Sequence, residues 1–366
     1  MSFINSPVFN RVIVPISFTA SLFGGVFLLR EYTGGRKCPS NDRMDGKVVL
    51  ITGANTGIGK ETAKEIAKRG AVVILGCRHM GKCAATAVEI RNVSQNKNVK
   101  CHFIDLANLD SVTEFVKEIK NEQQHIDVLV NNAGVMKPRS PKTTPNTDDG
   151  FERQFGVNHL GHFLLTNLLL DQLTNGESPG RVINVTSDAY QKGKVDIDDI
   201  EKNELKGDNR LTELYYQSKL ANVLFTKVLS DRSRENLKKR VTCNCVNPGV
   251  AHTGIGRHAN VPFYSVGVHM FKPLTWMAMR TPRQAAQTSI YLACDSALAN
   301  VTGAYFDDCK KVEDTKDMCD GVVAEKLWKA SEEWTNLNQR MSQLRETAKS
   351  GAPQNIGPAC NNSTTS

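Results

Sequence analysis

Six largely apolar, β-branched runs punctuate the chain up to residue 247, with helical-length stretches between them. They are Lys47 to Thr52, Ala71 to Cys77, Val99 to Asp105, Val128 to Asn131, Arg181 to Thr186 and Val241 to Asn247. Runs that are hydrophobic on consecutive positions, rather than alternating, predict strands covered on both faces. Strands alternating with helices predict βαβ units and a parallel sheet. The expected fold is therefore α/β: a Rossmann-type, doubly wound parallel sheet in a single domain over residues 46–310. No repeat of solenoid length interrupts the pattern.

Three segments stand outside the alternation. Thr253 to Pro282 is apolar and aromatic (Phe263, Tyr264, Phe271, Trp276) and follows the last strand-like run. An insert of that length reads as a lid, with an ordinary packed helix pair as the alternative. Within a C-terminal extension over 311–349, Gly321 to Leu344 places Val323, Leu327, Trp328, Trp334, Leu337, Met341 and Leu344 at helical spacing and predicts one amphipathic helix. Residues 350–366, rich in Gly, Pro, Asn and Ser, predict a disordered tail.

The N-terminal 45 residues read as a hydrophobic anchor and leader. Val12 to Leu29 is an uncharged run of eighteen residues, twelve of them apolar, between Arg11 and Arg30. As a helix it would reach roughly 27 Å against about 30 Å of hydrocarbon. It predicts a membrane-anchor helix; a cleaved signal peptide is the competing reading. Basic residues are commoner after the run (Arg30, Arg36, Lys37, Arg43, Lys47) than before it (Arg11), which leaves the large C-terminal part in the cytosol or matrix. The sequons at Asn92, Asn300, Asn361 and Asn362 then go unused.

Composition narrows the partners. Forty-six Lys and Arg against 38 Asp and Glu give a net charge of +8 over 366 residues, spread without a basic run. That distribution argues against nucleic acid and suits a phosphate-bearing small molecule. Ten cysteines lack both the paired spacing of a zinc site and the density of a disulfide scaffold. Free thiols in a reducing compartment are expected and no metal is. Cys243 and Cys245, two apart in a strand-like run, predict packed thiols on one face.

The chemistry begins at Thr52-Gly53-Ala54-Asn55-Thr56-Gly57-Ile58-Gly59, which leaves the first strand and opens a helix. Its glycines permit a tight turn and close backbone approach, and the helix N-terminus faces a pyrophosphate. Gly53, Asn55, Thr56, Gly57, Ile58 and Gly59 are thus candidate dinucleotide contacts. An acid at the end of the second strand would hold ribose hydroxyls, but this chain offers Cys77-Arg78-His79. Arg78 would meet a 2′-phosphate with a charge-assisted fork, which favours NADP(H) over NAD(H); a solvated arginine is the alternative. Asp105 with Leu106, and Asn131-Asn132-Ala133-Gly134, follow the third and fourth strands, where open α/β sheets bind ligand. For Asp105 a helix cap is the plain alternative.

Tyr215 and Lys219 lie four apart and share a helix face, and Ser187 ends the preceding strand. Carbonyl reduction needs an acid, a donor to the oxygen and a hydride source. An ammonium about 5 Å from a phenol, at an effective dielectric of roughly 20, favours the phenolate by about 3 kcal/mol, a little over two pKa units. Lys219 is therefore expected to bring Tyr215 toward neutral pH as a general acid/base, with Ser187 holding the substrate oxygen.

Residues 46–306 resemble the short-chain dehydrogenase/reductase family. Thr52 to Gly59 is similar to its glycine motif, Asp105 to its adenine contact, and Asn131 to Gly134 to its N-N-A-G turn. The resemblance implies that Asn158, Ser187, Tyr215 and Lys219 are the catalytic set. It also implies that Pro248, Gly249 and Thr253 sit beside the nicotinamide, and that Asn158 holds a water in a proton relay through Lys219. Thr52 to Lys60, Phe155 to Phe163, Gln217 to Leu220 and the leader Gly34 to Ser40 resemble in particular the membrane-associated NADPH-dependent retinol dehydrogenases. That implies NADP(H), retinal reduction to retinol and association with the mitochondrial inner membrane, the alternative being an endoplasmic reticulum membrane with a cytosol-facing catalytic domain. One departure is Asp188, where an apolar residue is common. Other lipid aldehydes or steroids are alternative substrates, a catalytically silent membrane-tethered NADP(H) sensor is the alternative class, and a homodimer is left open.

Overall fold

Successive side chains of the first strand take opposite sides of the sheet: Val48 and Leu50 enter one core, Val49 and Ile51 the other. The period of two in a β-strand makes this division inevitable once both faces are covered. The computed structural model describes residues 34–136, 146–176, 178–202, 210–235, 241–249, 279–313 and 320–350, with scattered positions between 11 and 28.

Strands form where the apolar runs predict them: β1 Val48–Thr52, β2 Val72–Cys77, β3 Val99–Phe103, β4 Val128–Asn131, β5 Gly180–Val185 and β6 Val241–Asn247. The third stops two residues before Asp105, which turns out of the sheet. Two further strands, β7 Tyr305–Asp307 and β8 Lys310–Lys311, were too short to carry a periodic signal. The order is β3-β2-β1-β4-β5-β6-β7-β8. Every pairing is parallel except β7 with β8. Chain direction across the sheet reverses between β1 and β4, so a crevice opens above their C-terminal ends.

Helices cover both faces. On one lie α1 Gly57–Lys68 and α2 Met80–Ser94, which bring Ile66 and Ile90 into the core of Val49 and Ile51. On the other, α3 Leu109–Glu122, α4 Gly161–Leu168 and α5 Arg210–Glu235 contribute Phe115, Phe163 and Phe225. Back on the first face, α6 Gln287–Cys294 adds Ile290 and Leu292.

The expected C-terminal helix is two, α7 Gly321–Trp334 and α8 Leu337–Ser350. Asn336 adopts φ +49° between them, a left-handed residue that helices do not continue through. Trp328 of α7 stands edge-on to Phe163 at 5.0 Å and packs on Phe225 at 5.6 Å.

The thiol expectation needs correction: Cys83 and Cys101 form a disulfide with Cα atoms 6.0 Å apart. Packing α2 on β3 makes that proximity, which linear spacing does not reveal. Cys243 and Cys245 are buried thiols outside any disulfide, as their spacing predicts.

Residues 250–278, with Thr253 and nearly all of the expected lid, lie outside the described residues, as do residues 351–366 of the expected tail. Among the described residues no helix is long and apolar enough to cross a membrane. Described positions of the 12–29 run are helical, and Ile16, Phe27 and Leu28 are exposed there.

Candidate active site

The strand ends bring four loops together. After β1, Gly53 takes φ +65° and donates its N–H to the Gly76 carbonyl at 2.8 Å. Thr56 then precedes α1 in extended conformation; its side chain makes no capping hydrogen bond, and the first turn holds no acid. The helix therefore opens with N–H groups that no side chain caps, an arrangement suited to an anion. A Cβ on Gly59 would lie 2.7 Å from the Gly53 carbonyl oxygen, so a side chain there would prise helix and loop apart. Ile58 is buried against the core and Asn55 accepts the Thr86 hydroxyl at 3.2 Å through its carbonyl. These features fit a dinucleotide's pyrophosphate on the chain's own geometry.

Beneath this loop lies a network that sequence reasoning missed. The Thr52 hydroxyl oxygen accepts the N–H groups of Asn132 and Ala133, each at 3.0 Å, and Asn132 Nδ2 donates to the Thr52 carbonyl at 2.8 Å. His162 Nε2 is 2.9 Å from the same hydroxyl, while its Nδ1 is 3.0 Å from the Asn158 carbonyl. Full burial pushes the His162 pKa down to about 4, so the ring is neutral. A carbonyl can only accept, so the hydrogen sits on Nδ1 and the Thr52 hydroxyl donates to Nε2. The visible signal is a histidine at 162, one turn after Asn158, in a largely apolar stretch.

Asn158 lies in a π-helical turn, Gly156–Leu160. Its amide donates to the Val135 carbonyl at 3.0 Å and to the Ser218 hydroxyl at 3.0 Å, and its Oδ1 accepts the Val135 N–H at 2.8 Å. Its backbone carbonyl takes Asn222 Nδ2 at 3.0 Å as well as His162. Both amide hydrogens and both carbonyl lone pairs are thus committed to protein partners.

At the rim, Arg78 Nη1 faces Asp105 at 3.9 Å, both partly exposed. Asp105 also accepts the Ala107 N–H at 3.0 Å in the turn before α3, whose cap is Asn108 rather than Asp105. Leu106 behind it is buried, and its carbonyl packs against Gly161, where a Cβ would come within 2.7 Å. Asn131 turns instead into the core, donating to Thr166 and Asn184. Gly134 continues the turn, half-buried.

The catalytic candidates converge from β5 and α5. The Ser187 side chain acts on the Tyr215 phenol and favours its ionised form, and Lys219 Nζ lies 5.6 Å from the Tyr215 ring centroid. Lys219 does not bring Tyr215 toward neutral pH. Burial pushes the Tyr215 phenol up to about 12, opposed by Ser187, and burial pulls Lys219 down to about 8. Lys219 Nζ donates to the Val185 carbonyl at 3.1 Å. Desolvation of the buried phenol outweighs the attraction of a neighbouring ammonium for the phenolate.

Asp188 does not face this pair's hydroxyls. It accepts Asn247 Nδ2 at 2.5 Å and the Tyr305 hydroxyl at 3.3 Å. Asn247 Oδ1 in turn accepts the Gly249 N–H at 3.0 Å. Gly249, at φ +72°, lies under Arg280, whose Nη1 reaches toward the Pro248 carbonyl at 3.5 Å. The Ser187 strand end is so tied to the Pro248-Gly249 turn.

This sheet, glycine loop and Ser-Tyr-Lys arrangement define an oxidoreductase that uses a nicotinamide cofactor, and the chain belongs to the short-chain dehydrogenase/reductase family. The family model described as short chain dehydrogenase matches residues 47–197. The chain is 45% identical over 322 residues to retinol dehydrogenase 13 of Mus musculus, covering 88% of this chain and 93% of that one. To the Homo sapiens retinol dehydrogenase 13 it is also 45% identical, covering 94% of that chain. Homo sapiens retinol dehydrogenase 12 is 39% identical, with 87% and 97% covered. Among solved structures, an uncharacterized protein from Mycobacterium Paratuberculosis superposes with TM-score 0.63 at 30% identity over 82% of this chain and 98% of its own. A short chain dehydrogenase from Escherichia coli CFT073 complexed with NADPH has TM-score 0.57 at 24% identity over 74% and 100%, a likeness of fold.

Proposed function

We propose that this chain is an NADPH-dependent oxidoreductase that interconverts an apolar aldehyde and its alcohol, with retinal and retinol as the pair. The observation carrying this reading is the placing of Lys219 Nζ 5.6 Å from the Tyr215 ring centroid, with Ser187 acting on the same phenol. When bound, the reduced nicotinamide supplies a hydride. Ser187 and Tyr215 present two hydroxyls to one substrate oxygen. Tyr215, whose raised pKa keeps it protonated at neutral pH, gives its proton to that oxygen as charge develops. Lys219 has two N–H groups beyond its bond to Val185 and returns a proton to Tyr215. Asn158, committed to Val135 and Ser218, acts by positioning α5 against the Val135 turn.

Arg78 supports the NADP(H) preference: it stands beside Asp105 at the end of β2, half exposed, its guanidinium available to a 2′-phosphate. The 45% identity to retinol dehydrogenase 13 supports a retinoid substrate. Membrane attachment is supported by the uncharged run 12–29 and by exposed Ile16, Phe27 and Leu28 within it. The membrane proposed is the mitochondrial inner membrane, with the endoplasmic reticulum membrane as the alternative.

The test is NADPH oxidation with all-trans-retinal and medium-chain aldehydes. Turnover with no carbonyl compound, or equal turnover in Tyr215→Phe, refutes the reading; NADPH binding without turnover identifies a nucleotide sensor. Protease protection of a tagged C-terminus, in isolated mitochondria and microsomes, tests the membrane, its side and the organelle.

A further inference from the structure

Three thiols gather where the leader crosses the edge of the fold, away from the catalytic candidates. Residues 36–42 form a strap tied down at four points. The Arg36 N–H donates to Asp308 at 2.7 Å and the Cys38 N–H to the Gln287 side-chain oxygen at 2.9 Å. Asp42 accepts the Ser296 N–H at 2.8 Å, and Arg69 donates to the carbonyls of Ser40 and Asp42 at 2.9 and 3.0 Å. Within this strap Cys38 Sγ stands 3.8 Å from Cys294 Sγ, at the last residue of α6, and 4.0 Å from Arg69 Nη2. Cys38 is partly exposed, whereas Cys294 is buried. Cys309, also buried, faces the Arg36 carbonyl at 3.8 Å instead.

We propose that Cys38 and Cys294 are a peroxide-sensitive dithiol whose oxidation staples the leader to α6. Their sulfurs are in contact and need to close from 3.8 Å to about 2.05 Å to bond. The two thiols divide the work by environment. The Cys294 hydrogen bond lowers the Cys38 pKa, with Ser40 and Arg69 adding to it against burial, while Cys294 is pushed up. Cys38 is therefore the attacking sulfur and Cys294 the resolving one.

A hydroperoxide is the oxidant. The Cys38 thiolate attacks its terminal oxygen, the O–O bond breaks, and the released alkoxide or hydroxide takes a proton, leaving a sulfenic acid on Cys38. The Cys294 sulfur then attacks the Cys38 sulfur, and hydroxide leaves with the Cys294 proton as water. Two thiols have lost two electrons and one hydroperoxide has gained them. The product joins residues 256 apart and fixes everything N-terminal of the strap to the catalytic body.

The experiment treats the full chain with hydrogen peroxide, alkylates remaining thiols and maps tryptic peptides without reduction. Peptides 38–43 and 284–310 should appear joined, two hydrogens lighter than their sum, with fragment ions placing the bond at Cys294 rather than Cys309. Alkylatable Cys38 should be lost in parallel and restored by dithiothreitol. In Cys294→Ser, dimedone should trap a sulfenic acid at Cys38. The proposal is overturned if Cys38 stays alkylatable, proceeds to sulfinic acid with Cys294 still free, or links to Cys309 or a second chain. The unsubstituted chain alone decides among these outcomes, even where the serine variant fails to fold.

Discussion

Thr52 and His162 lie 110 residues apart in the chain and meet through a 2.9 Å hydrogen bond beneath the nucleotide crevice. Because the imidazole is neutral, with its hydrogen directed at the Asn158 carbonyl, the Thr52 hydroxyl is aimed at Nε2 and its lone pairs at Asn132 and Ala133. One imidazole thus couples the end of β1, the turn after β4 and the π-helical turn bearing Asn158.

Thr52→Val keeps the shape and removes the hydroxyl, leaving the Asn132 and Ala133 N–H groups and His162 Nε2 without their partner. We expect a loss of about 1–3 kcal/mol in stability and weaker NADPH binding, with Thr52→Ser close to the native protein. Urea unfolding and a fluorescence titration with NADPH measure both. Equal effects from serine and valine would show that the hydroxyl does not organise the loop.

Acid should destabilise the fold before its carboxylates titrate. Burial holds His162 at about 4 and His159 at about 3, against about 6.5 when unfolded. Folded pKa values below the unfolded one mean stability that is present above pH 6.5 and lost as pH falls toward 4 and then 3. The loss assigned to His162 approaches about 3 kcal/mol. Urea midpoints at successive pH values should show the fall, and His162→Gln, which keeps a donor and an acceptor, should remove part of it.

Reversing the rim charge should change cofactor choice. Arg78→Asp places a carboxylate beside Asp105 and should weaken NADPH binding by at least about tenfold, with a much smaller change for NADH. Dissociation constants for the two cofactors give the ratio; equal changes would remove the 2′-phosphate role.

Tyr215→Phe should lower retinal turnover by about 10²–10⁴-fold, the usual share of a positioned acid, while NADPH affinity changes only a few-fold. The pH profile of the native enzyme separates the two partners. With Tyr215 pushed up to about 12 and Lys219 down to about 8, reduction should decline as pH rises through about 8, where the ammonium loses its proton. A decline centred above pH 10 would assign the limb to the phenol.

Six of the eight strands among the described residues, the glycine loop and the Ser187, Tyr215 and Lys219 residue types were legible from local pattern. Strand burial, turn chemistry and helical spacing are properties of neighbouring residues, and those the amino-acid order determines by itself. The single C-terminal helix was misread because its apolar positions continue across Asn336, where one left-handed residue breaks the backbone. The Cys83–Cys101 bond, the contact of Cys38 with Cys294, and the burial that raises Tyr215 and lowers Lys219 depend on which surfaces meet. Only tertiary packing decided these, because desolvation and through-space contact are set by the groups enclosing a residue, not by the few beside it in the chain.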